Sequence, residues 1–173
     1  EDDHDPEEIM IGQTLSIGST VFIDENDNGM QDAGDAGIPG VTVELVDDAT
    51  GAIIATTTTD GNGDYFFDML APGDYIVQIP MPDTVYPISS TPTDTADNGV
   101  DGNDNGDQPG GQGTIVMSPV ITLAPGTEPI GAAEDGPTGG TQDDVQDSNG
   151  DMTIDFGFIS VYDLALRKEL SSA

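Results

Sequence analysis

The sequence has no cysteine and no tryptophan, and only two of its 173 residues are basic. Without cysteine, neither disulfides nor thiolate metal sites are available. The two cations, Arg167 and Lys168, sit side by side near the end. Residues 1–166 therefore hold no counter-charge for phosphate, and nucleic acid is excluded as a partner. An anionic membrane surface is excluded for the same reason. No apolar run reaches the roughly 18 residues of a spanning helix, so membrane insertion is not expected. The single histidine, His4, lies in an acidic lead, so no Ser–His or Cys–His constellation exists. Carboxylates are so numerous that no pair stands out for glycoside hydrolysis. An enzyme is not expected.

What the chain does have is acid. Its 34 Asp and Glu give a formal charge of −32, and that much like charge opposes compaction unless something offsets it. Gly and Pro are abundant, at 23 and 12 residues, which favours short strands and long loops over helices. Residues 1–10 read as an acidic linker. TLSIGSTVFID (14–24) reads as one or two strands interrupted by Gly18. VTVELVD (41–47) alternates, with Val41, Val43 and Leu45 on one face. AIIATTTT (52–59), DYFFDML (64–70) and DYIVQIP (74–80) follow as strands, with Ala71-Pro72-Gly73 as a tight turn. The stretches 81–113 and 124–150 lack strand periodicity. IVMSPVITL (115–123) is a strand whose Pro119 places it at an edge or bulge. MTIDFGFI (152–159) is the last strand, with Ile154, Phe156 and Phe158 on one face. About seven alternating strands indicate an all-β, antiparallel sandwich over residues 11–160. Tyr65, Phe67, Tyr75, Phe156 and Phe158 are expected in its core, leaving Tyr86 as the exposed aromatic.

Residues 24–35 lay out as a twelve-position calcium loop. Asp24, Asn26 and Asn28 take positions 1, 3 and 5, and Gly29 takes the sharp turn at position 6. Met30 offers a carbonyl at position 7, and Asp32 and Asp35 take positions 9 and 12. Calcium needs six to eight hard oxygens, and this loop offers only oxygens. The twelfth residue is Asp where Glu is usual, and the flanks VFID and IPGVTVEL are strands, not helices. Three less complete clusters repeat the alternate spacing: Asp60, Asn62 and Asp64; Asp97, Asp101, Asn103, Asn105 and Asp107; and Asp147, Asn149 and Asp151. The expectation is one calcium site in the first loop and further sites among the others.

The stretch IGSTVFIDENDNGMQDAGDAGIPGVTVELVD, followed by TTTDGNGDYFFDMLAPGDYIVQI, resembles the SdrD B-like repeat family of bacterial surface adhesins. The DSNGDMTIDFGF ending is similar to that family's closing strand. The resemblance implies a B-type, prealbumin-like Greek-key sandwich binding several calcium ions and serving as a rigid, secreted or cell-surface stalk. By position it assigns ligand roles to Asp24, Asn26, Asn28, Asp32 and Asp35, and less securely to Asp60, Asp97, Asp101 and Asp107. Related domains carry Lys–Asn or Lys–Asp isopeptide bonds. Here the one lysine, Lys168, lies beyond the last strand, and an internal cross-link is not expected.

The tail VYDLALRKEL (161–170) reads as the opening strand of a further unit, with a short helix as the alternative. It is expected to join the chain to a neighbouring domain or copy, head to tail. The rival functional reading is a ligand-binding module whose long loops meet a carbohydrate, a protein or another host surface ligand.

Overall fold

The computed structural model describes residues 14–91, 99–131, 134 and 147–161. Period-two alternation puts apolar side chains on one face of each long strand, and two such faces close on each other. The strands are β1 (Leu15–Ile23), β2 (Thr42–Asp47), β3 (Ala52–Thr58), β4 (Asp64–Leu70) and β5 (Gly73–Ile79). Five short ones follow: β6 (Ile88–Ser89), β7 (Val116–Met117), β8 (Ile121–Leu123), β9 (Gly150–Asp151) and β10 (Phe156–Ile159). One sheet runs β4-β1-β10-β6, with β9 also on β1. The other runs β3-β2-β5-β7, with β8 also on β5.

Leu15, Ile17 and Val21 of β1, Tyr65 and Phe67 of β4, and Phe156 and Phe158 of β10 form one wall of the core. Val43, Leu45, Tyr75, Val77, Ile79, Val116, Ile121 and Leu123 form the other. Each fully buried aliphatic or Phe side chain contributes about 1.5–3 kcal/mol. Tyr65 meets its polar obligation by donating its hydroxyl to the Ile154 carbonyl at 2.6 Å. Phe22, also fully buried, packs against the backbone of Gly157, where an added Cβ would come within 3.0 Å of its ring and would also clash with the Ser90 hydroxyl.

The sandwich and its five long strands agree with the sequence reading, and four details differ. One sheet is mixed, because β1 pairs in parallel with both β9 and β10, while the other is antiparallel throughout. The 115–123 run is two strands separated around Pro119, both paired with β5 at the sheet edge. Proline has no amide to continue a ladder. The stretch 81–113 contains β6, which pairs with β10 through only two residues. Tyr86 is not an exposed platform; it is partly buried against the core. The linker 1–10 and the tail beyond Val161 lie outside the described residues.

Candidate functional site

The loop from Asp24 to Asp35 leaves β1 at one end of the sandwich and is organised around its own carboxylates. Asp24 is buried. Its Oδ1 accepts from the amides of Asp27 at 2.6 Å and Asn28 at 3.3 Å, and its Oδ2 from Gly29 at 2.7 Å. Gly29 adopts φ 72°, the left-handed turn expected of it, and Asp27 joins it there at 58°. Asp35 accepts from the amides of Glu25 and Asp32. Asn26 and Asn28 both donate side-chain amides to Asp32 Oδ2, at 2.7 and 3.0 Å. The loop thus brings Asn26, Asn28 and Asp32 together, while Asp24 and Asp35 each cap nearby backbone. Half-exposed Met30 bridges to Asn103, where Gln31 N donates to the Gly102 carbonyl and Asp104 N to the Gly29 carbonyl.

The other clusters are also engaged within the protein, in their own turns or on distant segments. Asp60 Oδ1 accepts from the amides of Asn62 and Asp64, closing the β3–β4 turn. Asp64 accepts from the Thr20 hydroxyl, and burial pushes its carboxyl above the ordinary range. Asp101 accepts from Ser19 at 3.2 Å. Asn105 Oδ1 accepts from Asp155 N, and Asp107 exchanges two backbone bonds with Met117. Asn149 accepts from Gly126 N, and Asp151 from the amide and hydroxyl of Thr153. Asp97 and the side chain of Asp147 lie outside the described residues.

The calcium expectation is corrected here. Among the described residues, no group of three or more His, Cys, Asp or Glu is placed to hold a metal ion. Alternate spacing supplied oxygens, but the folded loops turn those oxygens onto backbone amides, hydroxyls and side-chain amides, some in the same loop and some, as for Asp64, Asp101 and Asn105, on distant segments. The carboxylates are spread along the loops as caps and do not converge on a common centre.

Two carboxylates to which the sequence assigned no ligand role, Asp104 in the 97–107 cluster and Asp155 in the last strand, have the larger role. Asp155 is completely buried. Its Oδ1 accepts from the Ser19 hydroxyl at 2.7 Å and Thr20 N at 3.2 Å, and its Oδ2 from Gly102 N at 2.7 Å. Burial, reinforced by neighbouring Asp101, holds its carboxyl well above the usual carboxylate range. Asp104, equally buried, accepts from the Ser90 hydroxyl and Gly106 N. Its carboxyl is pushed up to about 7 by burial. Together they bind the segment 101–107 down onto β1 and β10. The available signal was an acid inside the apolar run MTIDFGFI.

This arrangement is architectural: buried carboxylates fasten loops to a sandwich. The chain is 45% identical over 80 residues to colossin-A of Dictyostelium discoideum, covering 46% of this chain and 1% of that protein. It is 50% identical over 68 residues to serine-aspartate repeat-containing protein I of Staphylococcus saprophyticus, covering 39% of this chain and 4% of that protein. With the fibrinogen-binding protein of Staphylococcus epidermidis it shares 45% identity over 82 residues, or 47% of this chain and 7% of that protein. The chain thus spans a small fraction of each relative. Residues 15–128 match the SdrD B-like domain, and the chain belongs to that family of adhesin-associated β-sandwich domains.

Proposed function

We propose that this domain is a spacer: a stiff unit in the extracellular stalk or filament of an adhesin. Kinship with staphylococcal surface proteins supports the extracellular location. The observation that carries the spacer reading is the parallel pairing of β1 with β10. Because these neighbours run the same way, the start of β1 and the end of β10 lie at opposite poles. At about 3.3 Å per residue, a nine-residue strand separates them by about 30 Å. A domain entered at one pole and left at the other extends a chain of domains instead of folding it back. The next unit, a further domain or another copy, attaches through residues 161–170. The rival ligand-binding reading loses its aromatic platform with the packing of Tyr86.

Small-angle scattering on tandem repeats of the whole chain tests the reading. Each added copy is expected to lengthen the particle by a constant increment, with an unchanged cross-section. A compact particle, or a size growing with the square root of copy number, overturns it.

A further inference from the structure

The sheet edges of this sandwich are not equally protected. The β6 edge is covered: Ser89 N donates to the Gln108 side chain, and the Ser89 hydroxyl to the Gly106 carbonyl. On the opposite sheet, the edge formed by β7 and β8 is interrupted around Pro119, and Asp107 occupies the outer side of Met117. β4 carries Asp64 and Asp68, and Met69 bends its end through φ 58°. Charge, proline, kinks and covering loops are the usual devices that keep sheet edges from pairing with other chains.

β3 has almost none of them. Its residues, AIIATTT, include no charge, no proline and no glycine. It pairs along its length with β2 and, among the described residues, with no other strand. The single irregularity is the extra residue Ile54, where the register shifts between Leu45 and Val46. Ile53 and Ile54 remain about half exposed, at 53% and 49%. Unlike the edge itself, its surroundings are acidic. Asp47 pairs with Ala52, Glu44 with Thr56, and Asp48 and Asp60 flank the strand at its two ends.

The geometry points to the outer edge of β3 as a docking site for an extended segment of another polypeptide, uncharged along its middle and basic at its ends. The backbone of such a segment continues the β3-β2-β5 sheet, its apolar residues cover Ile53 and Ile54, and its terminal cations meet Asp47, Asp48 and Asp60. Charge also decides against a second copy paired β3 to β3. Antiparallel pairing would set Asp60 of each molecule beside Asp47 and Asp48 of the other, between two chains of formal charge −32.

A fluorescently labelled octapeptide of alternating valine and threonine, with lysine at both ends, is the probe for the intact chain. Saturable binding is expected, read by anisotropy, together with slowed amide exchange in residues 52–58. The same peptide with glutamate ends should bind at least about tenfold more weakly. Thr56→Lys, at an exposed position, should lower binding about tenfold at unchanged melting temperature, while Asp68→Lys on the β4 edge should not. Absence of binding, binding indifferent to Thr56→Lys, or protection confined to another edge would overturn the proposal. Concentration-dependent dimers abolished by Thr56→Lys would overturn it too, by making the occupant a second copy.

Discussion

The stretch from Leu15 to Ile79 and the stretch from Met81 to Ile159 are held by different means. The first contains the five strands of six to nine residues, and their ladders and apolar faces do most of the work. Among the described residues of the second, strands are only two to four residues long. Besides the core side chains of Val116, Ile121, Leu123, Ile154, Phe156 and Phe158, that part is fixed by Asp104, Asn105, Asn149, Asp151 and Asp155, all buried and each accepting from backbone or hydroxyl donors. A region poor in strand can thus be tied to a core by acceptor side chains that replace missing ladder partners. The arrangement carries a desolvation cost, visible in the raised carboxyls of Asp104 and Asp155.

The largest expected effect tests the first half. Leu45→Ala removes a fully buried side chain and should destabilise the whole domain by about 3–4 kcal/mol, measured by urea unfolding. If amide exchange accelerated only near residue 45, the first half would not be the cooperative core described here. Next, Asp155→Ala removes the acceptor of Thr20 N and Gly102 N and the nearer acceptor of the Ser19 hydroxyl and should cost about 2–3 kcal/mol. Its signature is local: amides of 101–107 should exchange faster than those of 41–79. Asp155→Asn keeps a neutral acceptor and should cost less than half as much. An equal loss for Asn and Ala would show that the negative charge, not the acceptor geometry, is what matters.

The pH response separates the halves further. The Asp104 carboxyl stands at about 7 when folded, against an ordinary 3.8. The folded state therefore keeps a proton that the unfolded chain has released. Stability from this group is full below about pH 4 and is lost as pH rises towards 7. Asp155, raised in the same direction, adds to the slope. Melting temperature should rise as pH falls from 7 to 5, and Asp104→Asn should flatten that rise. A curve unchanged by Asp104→Asn would remove Asp104 from the account. The smallest effects belong to the 24–35 loop. Asp24→Ala, which deprives three amides of an acceptor, should cost about 1–2 kcal/mol. Exposed Asp32, which accepts from two asparagine side chains, should cost below about 0.5 kcal/mol when replaced by Ala. Chemical denaturation of the two variants side by side orders them.

The long strands were legible because alternation is a local property. Val43 and Leu45, or Tyr75, Val77 and Ile79, declare a face within a few residues. β6 and β9 were not, since two residues cannot display a period. The roles of Asp104 and Asp155 were hidden for a different reason. Parity along β10 puts Asp155 opposite Ile154 and Phe156, and only the return of residues 101–107, some fifty positions earlier, buries it. The 24–35 spacing was real and its glycine turned as expected. Spacing fixes which oxygens are available, though, and not whether they turn towards an ion or towards their own backbone.

The parallel register of Val21–Ile23 against Phe156–Phe158 has a mechanical meaning. Tension applied at the start of β1 and the end of β10 would slide the two strands past each other, loading their hydrogen bonds in shear. Bonds loaded together must break nearly together, whereas a hairpin pulled from its open end parts one rung at a time. Flanking the same strand, β4 pairs with residues 15–20 and β9 with Ser16 and Ile17, so β1 is clamped along most of its length. Under load the rest of the fold stays shielded until that clamp gives, and the lifetime of the fold under tension is set by the rate at which it ruptures.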